Sequence, residues 1–220
     1  MDKSEPMEGA KVTGTRELYD EWAATYDDVA NPTRDLEKRA CEALLGGLSV
    51  DTVIELGGGT GKNTSWLAER ARRVISIDLS PEMQAAARRK VTAVNVEFRI
   101  GDITGEWDFA EPADLVTCSL ILEHVKDLGH VFEQAAKTLR SNGRFYVCEL
   151  HPFKQYAGSK ARFETVEGLK VLECFRHHMT DYANAGMSNG FAIERMDEWF
   201  DSDERDAEIP RLISFLFTKS

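Results

Sequence analysis

Val53-Ile54-Glu55-Leu56-Gly57-Gly58-Gly59-Thr60-Gly61 joins an apolar run to a chain of glycines. A short β-branched, apolar run of this kind reads as a buried strand. It passes through an acidic residue into glycines at alternating positions. Such glycines let the backbone turn tightly and approach a ligand with no Cβ in the way. The segment that follows, Lys62 to Ala71, can form a helix whose N-terminus points at the same spot. Strand, loop and helix in this order make a binding loop; without that context the glycines would be only a turn.

Two familiar glycine patterns fail here. A dinucleotide fingerprint requires G-x-G-x-x-G, and counting from Gly57 puts Lys62 at the third glycine. A phosphate loop requires G-x-x-x-x-G-K-[ST], but its first position is Leu56 and the residue after Lys62 is Asn63. What remains is Glu55-x-Gly57-x-Gly59-x-Gly61. It resembles motif I of the class I S-adenosylmethionine (SAM)-dependent methyltransferases. There, the resemblance implies, the loop wraps the methionine end of SAM, and backbone groups meet its amino and carboxylate functions. Glu55, Gly57, Gly59, Thr60 and Gly61 are the residues so implied.

The downstream order extends the resemblance. Arg73-Val74-Ile75-Ser76-Ile77-Asp78 reads as a second strand ending in an acid. Asp78 lies about 20 residues beyond the loop, where doubly wound folds place a carboxylate against ribose hydroxyls. A carboxylate is acceptor-only and can take two hydroxyl donors at once. Leu79 follows it, then Ser80 as an N-cap and Pro81 at the first helical position. Met83 reads equally as a residue on the adenine face or as core. Val96 to Ile100 is a third strand. Gly101-Asp102-Ile103 after it resembles the family's adenine contact, with Asp102 accepting from the exocyclic amine; a solvated turn is the alternative.

Ala113 to Leu120, which includes Ser119, reads as a fourth strand, and Ile121-Leu122-Glu123-His124-Val125 looks like the L-E-H-V stretch of small-molecule methyltransferases. His124 is expected near the cofactor and the acceptor mouth. No Asn-Pro-Pro-Tyr-type tetrapeptide and no Pro-Cys pair are present. Amino-methylation of DNA or protein glutamine, and the cytosine-C5 route through a cysteine, are therefore unsupported. Gly143 to Glu149 reads as a fifth strand, entered by the turn Ser141-Asn142-Gly143.

Near the N-terminus, Tyr19 to Asp27 looks like the family's lid segment. Tyr19 and Tyr26 are seven apart and share a helical face. In relatives such a helix closes over SAM and offers an aromatic hydroxyl; a helix packing its Trp and Tyr on the core is the alternative. The resemblance spans roughly residues 14 to 150, and the rest matches in outline. It implies an α/β, Rossmann-like sheet of order 3-2-1-4-5-7-6 with strand seven antiparallel. Helices cover both faces, N-terminal helices form a lid, and a small cap follows strand five.

Bulk properties agree. A chain of 220 residues is most simply one α/β domain, here 14–220, preceded by a mobile tail over 1–13. No membrane-length apolar run and no signal-peptide core is visible, so the cytoplasm is expected. Cys41, Cys118, Cys148 and Cys174 are scattered without C-x-x-C, which points to reduced thiols and no metal site. A net charge of −11 lacks the basic footprint that nucleic acid needs. The basic runs near Arg70–Arg73 and Arg88–Lys90 fall at helix ends, as the macrodipole favours. Asp197 to Glu208 reads as a solvated acidic loop. A monomer or homodimer without membrane partners is the expectation.

The implied chemistry sets what else to look for. A sulfonium carbon is already electrophilic, so the protein must align the acceptor and exclude water. A base is needed where the acceptor must lose a proton. Ligands of open α/β sheets bind beyond the carboxyl ends of the strands, which makes His151, two residues past Glu149, the first candidate base. His178 and Tyr26 are the other catalytic candidates. Of His177-His178, read as strand neighbours, only one should face a pocket. Residues 152–178 read as a cap, with Gln155, Tyr156, His177 and His178 beside His124 and His151 as acceptor-site candidates; a dimerisation arm is the alternative. Gly168 suggests a hairpin turn within the cap. Thr180 to Met187 reads as a helix with Thr180 as a cap, and Phe191 to Arg195 and Arg211 to Thr218 as closing strands.

The expected activity is transfer of a methyl group from SAM to an oxygen or nitrogen of a small organic molecule, leaving S-adenosylhomocysteine (SAH). The alternatives are a SAM-binding enzyme of another reaction type and a non-catalytic SAM-binding scaffold.

Overall fold

The strand read from Val53 to Leu56 forms β1 (Val50–Leu56), which sits between β2 (Ala71–Asp78) and β4 (Ala113–Ser119), parallel to both. In the computed structural model, which describes residues 14–108, 111–165, 168–202 and 209–220, β3 (Val96–Ile100) flanks β2, and β5 (Leu139–Leu150) flanks β4. β9 (Leu212–Lys219) then pairs antiparallel with β5, and β8 (Phe191–Trp199) pairs antiparallel with β9. The sheet reads β3-β2-β1-β4-β5-β9-β8. This is the expected 3-2-1-4-5-7-6 once β6 (Arg162–Thr165) and β7 (Gly168–Val171) are set aside; these two form a separate antiparallel ribbon.

Successive residues of the central strands point to opposite faces, and each face has its own core. On one, Ile54, Ile75, Val116, Phe145 and Phe217 pack with Val131 and Phe132 of α5 (Leu128–Thr138) and Tyr182 of α7 (Met179–Ser188). On the other, Val53, Val74, Leu115 and Tyr146 meet Leu36, Ala40, Cys41 and Leu44 of α2 (Pro32–Leu45) and Leu67 of α3 (Lys62–Ala68). Strands covered on both faces read as continuous apolar runs, which is why they were visible in the sequence. Burying each such side chain contributes about 1.5–3 kcal/mol.

A third, smaller cluster holds the lid. Leu18 and Trp22 of α1 (Thr15–Trp22) pack with Met83 of α4 (Pro81–Lys90), Phe163 of β6 and Leu172. Trp22 and Phe163 stack at 4.8 Å between ring centroids. The ribbon β6–β7 is thus a buttress of the lid.

Several boundaries differ from expectation. α3 ends at Ala68, because Ala71 already pairs with Val50 in β2. α1 ends at Trp22, so Tyr26 is not on its helical face; turns closed by Thr25 N donating to Trp22 O and Asp28 N to Thr25 O bring it back beside Trp22, 4.8 Å ring to ring. The expected turn at 141–143 lies inside β5 as an irregularity, with Asn142 at φ 61° and a register shift opposite Ala113 and Leu115. α7 starts at Met179, where the Asp181 carboxylate accepts from His178 N at 2.7 Å, so Thr180 is not the cap. Asp197 and Glu198 lie on β8. Asp201 pairs with Arg211, and the end of that acidic stretch, 203–208, lies outside the described residues, as does the expected tail 1–13. No helix among the described residues is long and apolar enough to cross a membrane.

Candidate active site

A cavity of about 590 Å³ opens at the carboxyl ends of β1, β2 and β4. This is where open α/β sheets bind ligands. The glycine loop forms its floor. Gly57 and Gly59 adopt left-handed φ of 67° and 53°, a region that costs other residues free energy. A Cβ on Gly58 would stand 1.9 Å from Ser76 Oγ and 3.0 Å from Glu55 Oε2. Beneath the loop, the buried Glu55 carboxyl accepts from Thr64 Oγ1 at 2.5 Å and Ser76 Oγ at 2.8 Å. It ties β1 to α3 and β2. Burial pushes its pKa up to about 7, against the two hydroxyls.

Asp78 ends β2 at the cavity wall. Its Oδ2 accepts from Gly59 N and its Oδ1 from Ser80 N, both at 2.8 Å. The carboxylate therefore fixes the glycine loop and keeps spare lone pairs for hydroxyl donors. Burial raises its pKa, opposed by those backbone bonds. Ser80 caps α4 as expected, accepting from Met83 N at 3.0 Å, and its hydroxyl donates to Asp20 of α1 at 2.5 Å. Leu79, Met83, Gly101 and Ile103 line the same wall. Met83 also belongs to the buried lid cluster. Asp102 lines the cavity, but its Oδ1 accepts from Thr104 N and Oγ1, closing a turn.

The lid closes the other side. Tyr19 and Tyr26 both line the cavity, with ring centroids 6.4 Å apart. Thr60 of the glycine loop donates to Asp27 at 2.8 Å, and Lys90 forms an ion pair with the same carboxylate. Arg34 of α2 donates to Tyr26 O at 2.6 Å and Val29 O at 2.8 Å, and its guanidinium lies 4.1 Å over the Tyr26 ring. Burial raises the Tyr26 pKa, with Arg34 opposing. His124, in the single turn Leu122–His124 after β4, also faces the cavity and meets Tyr19 Oη at 3.0 Å. That turn is held by Glu149, whose Oε1 accepts from Ile121 N at 3.0 Å and Leu122 N at 2.9 Å.

Other expected residues are elsewhere. Gly61 does not line the cavity; its φ of 86° starts α3, and a Cβ there would press on Val91 and Ala87 of α4. His151 is fully buried away from the cavity. Its Nδ1 accepts from Phe153 N at 3.2 Å as the N-cap of α6 (Pro152–Tyr156), and its Nε2 faces Glu198 at 3.2 Å. Nδ1 accepts, so Nε2 carries the proton, and no lone pair remains for a base. This corrects the assignment of His151. His177 donates from Nε2 to Val125 O at 2.7 Å, and His178 pairs with Tyr156 Oη at 3.1 Å. The two histidines lie in irregular chain, not on a strand. Gln155, Tyr156, His177 and His178 do not line the cavity, so the acceptor-site reading of these four is corrected with that of His151.

The sequence reading missed Glu37. It lies on α2 with its carboxyl buried at the cavity wall, accepting from Ser119 Oγ at 2.6 Å and Asn63 Nδ2 at 2.8 Å. Burial raises its pKa, against those two bonds. The available signal was a carboxylate on the same helical face as Ala40, Cys41 and Leu44. Ser119, expected to face the cofactor, spends its hydroxyl hydrogen on Glu37. Glu123, His124 and Cys174 bring ligand-type atoms within 4.8 Å of one another. Both His124 nitrogens already have partners, Tyr19 Oη and Glu173 O, so the trio reads as a polar network.

Comparison with known proteins fits this geometry. Residues 54–147 match a family described as a methyltransferase domain. The demethylmenaquinone methyltransferase of Tropheryma whipplei (strain Twist) is 28% identical over 153 residues, 66% of this chain and 63% of that protein. The ubiquinone biosynthesis O-methyltransferase of Nitrosomonas europaea is 32% identical over 113 residues, 50% of this chain and 48% of that protein. The chain thus spans less than two thirds of the length of these relatives. Among solved structures, a DhpI complex with SAM and HEP superposes with a TM-score of 0.72 at 24% identity, covering 93% of this chain and 95% of that one. The chain carries a domain of the class I SAM-dependent methyltransferase fold.

Proposed function

We propose that the protein is a SAM-dependent methyltransferase that transfers a methyl group to an oxygen or nitrogen of a small organic molecule. The observation that carries this reading is the cavity itself: a Cβ-free glycine floor, the Asp78 carboxylate and an aromatic lid enclose one space. The residues fit the cofactor. The Gly57–Gly59 backbone would hold its amino-acid end, Asp78 its ribose hydroxyls, and Met83 with the Gly101–Ile103 turn its base. When bound, it supplies an electrophilic methyl carbon and a neutral leaving group.

The chain's own residues do the rest. The lid, pinned by Arg34, Asp27 and Asp20, excludes water from the reacting atoms, which strengthens electrostatic interactions inside. Tyr19, Tyr26, Ile121 and His124 line the cavity, and an acceptor would sit against them. Aromatic walls with convergent polar groups suit a small organic molecule. The names of the matched relatives, which include quinone methyltransferases, support a small acceptor.

The test is methyl transfer from labelled SAM to a panel of small phenols, hydroxy acids and amines. Labelled product from one acceptor class supports the reading. SAM binding without transfer to any of them would favour the scaffold alternative.

A further inference from the structure

Tyr19 on the lid and His124 after β4 meet inside the cavity, 105 residues apart in sequence. His124 Nδ1 lies 2.9 Å from Glu173 O. A carbonyl only accepts, so Nδ1 carries the hydrogen and Nε2 presents its lone pair. The Tyr19 hydroxyl, 3.0 Å away, therefore donates to Nε2. That leaves the Tyr19 oxygen able to accept a hydrogen from the cavity side. Behind the pair, Glu123 Oε1 lies 3.9 Å from His124 Nε2, and Glu123 Oε2 is buried without a hydrogen-bond partner.

We propose that Tyr19 and His124 form a proton relay that takes the proton of an acceptor hydroxyl, so that the methylated atom is an oxygen. This rests on the methyl-transfer reading above. As the acceptor oxygen forms its bond to the methyl carbon, its proton passes to Tyr19 Oη and the Tyr19 proton passes to His124 Nε2. The electron pair of the broken carbon–sulfur bond stays on sulfur. The positive charge lost at sulfur reappears on the imidazole, next to Glu123. Tyr19 remains neutral throughout, in keeping with a hydroxyl whose pKa is raised well above the ordinary value, chiefly by burial and then by Tyr26, Glu123, Asp78 and Cys174 around it. Tyr19 is the group that touches the acceptor; His124 receives the proton; Glu123 is a positioning residue. An amine acceptor that arrives with a free lone pair needs no such relay.

Three measurements on the full chain test this, using wild type, Tyr19→Phe and His124→Gln. Calorimetry with SAH should give affinities within about threefold of one another; failure of wild type to bind SAH would overturn the underlying cofactor reading. Nitrogen-15 histidine spectra of the SAH-loaded wild type should show His124 as the Nδ1–H tautomer, with its Nε2 signal shifting in Tyr19→Phe. An Nε2–H tautomer would overturn the relay. On the acceptor panel, wild type should methylate hydroxyls, and each variant should lose roughly 100-fold or more in kcat with KM little changed, as general-base catalysis is worth about 10²–10⁴-fold. The double variant should be no slower than the worse single one. Glu123→Gln should lower kcat on hydroxyls with KM and SAH affinity little changed, and an unchanged kcat would remove Glu123 from the relay. Variants that keep their rate, or a wild type that methylates amines and no hydroxyl, would overturn the proposal while leaving the SAM reading intact.

Discussion

The glycine-loop half of the molecule and the segment after β5 carry similar polar residues in sequence, and the fold uses them in opposite ways. In the first half, the carboxylate at the end of β2 faces the cavity and orders the loops around it. Asp78 holds the glycine loop through Gly59 N and the start of α4 through Ser80 N. In the second half, the histidines are consumed by distant partners: His151 by Glu198, His177 by Val125 and His178 by Tyr156. A titratable side chain just past a strand can be a ligand-facing group or a cap, and only its partners decide which.

Substitutions in the two halves should therefore separate cleanly, measured by SAH affinity and by thermal unfolding. The largest effect is expected from Gly58→Ala. Its Cβ would enter the space of the Ser76 hydroxyl, so the loop must shift, and we expect SAH binding to weaken roughly 100-fold or more, on the order of 3 kcal/mol. Calorimetric affinity close to wild type would mean that the loop is not the floor of the site. Asp78→Ala removes a charged acceptor and frees the Gly59 amide. A loss of about 1.5–3 kcal/mol in SAH binding follows, and unchanged binding would remove Asp78 from the site.

A smaller effect concerns pH. Burial raises the Glu149 pKa to about 8, against the Ile121 and Leu122 amides and helped by Glu123. The unfolded value is about 4.3. The folded state thus binds a proton that the unfolded state releases, and this contribution to stability is lost as pH rises from about 4.5 through about 8. Between pH 5 and pH 8.5, Tm should fall more in wild type than in Glu149→Gln. Equal slopes would show that Glu149 titrates as an ordinary carboxylate.

Phe163→Ala should weaken SAH binding only a few-fold, because it removes the ribbon's stack on Trp22 while Phe163 itself does not line the cavity; such aromatic pairs are worth about 0.5–1.5 kcal/mol beyond burial. Stopped-flow release of SAH should show a faster off-rate, and an unaltered one would detach the ribbon from the lid. The smallest effect on binding is expected for His151→Ala. SAH affinity should stay within about twofold while stability falls by about 1–3 kcal/mol, since Phe153 N loses its acceptor and the buried Glu198-facing imidazole is removed. A tenfold loss of SAH affinity with unchanged Tm would reverse the comparison.

The same contrast explains what was legible in the sequence. Strands covered on both faces announce themselves by composition, and the glycine loop, Asp78 and the Ser80-Pro81 cap announce themselves by local geometry. The sheet order came only from the family resemblance those motifs carry. Glu37 was hidden because its partners, Ser119 and Asn63, lie on other elements. The Tyr19–His124 pair was hidden for the same reason: each was read alone, and the bond between them exists only after the lid closes on the turn that Glu149 holds. Tyr26 reached the cavity by a turn, although its helical spacing suggested another route to the same place.

If the cavity beyond β1, β2 and β4 holds SAM, calorimetric titration with SAH, with SAM and with NAD as a contrast will show it. The expected result is one site that takes both sulfur compounds, rejects NAD and is weakened by Asp78→Ala. Binding of NAD, or no binding of SAM and SAH by the folded protein, would contradict it.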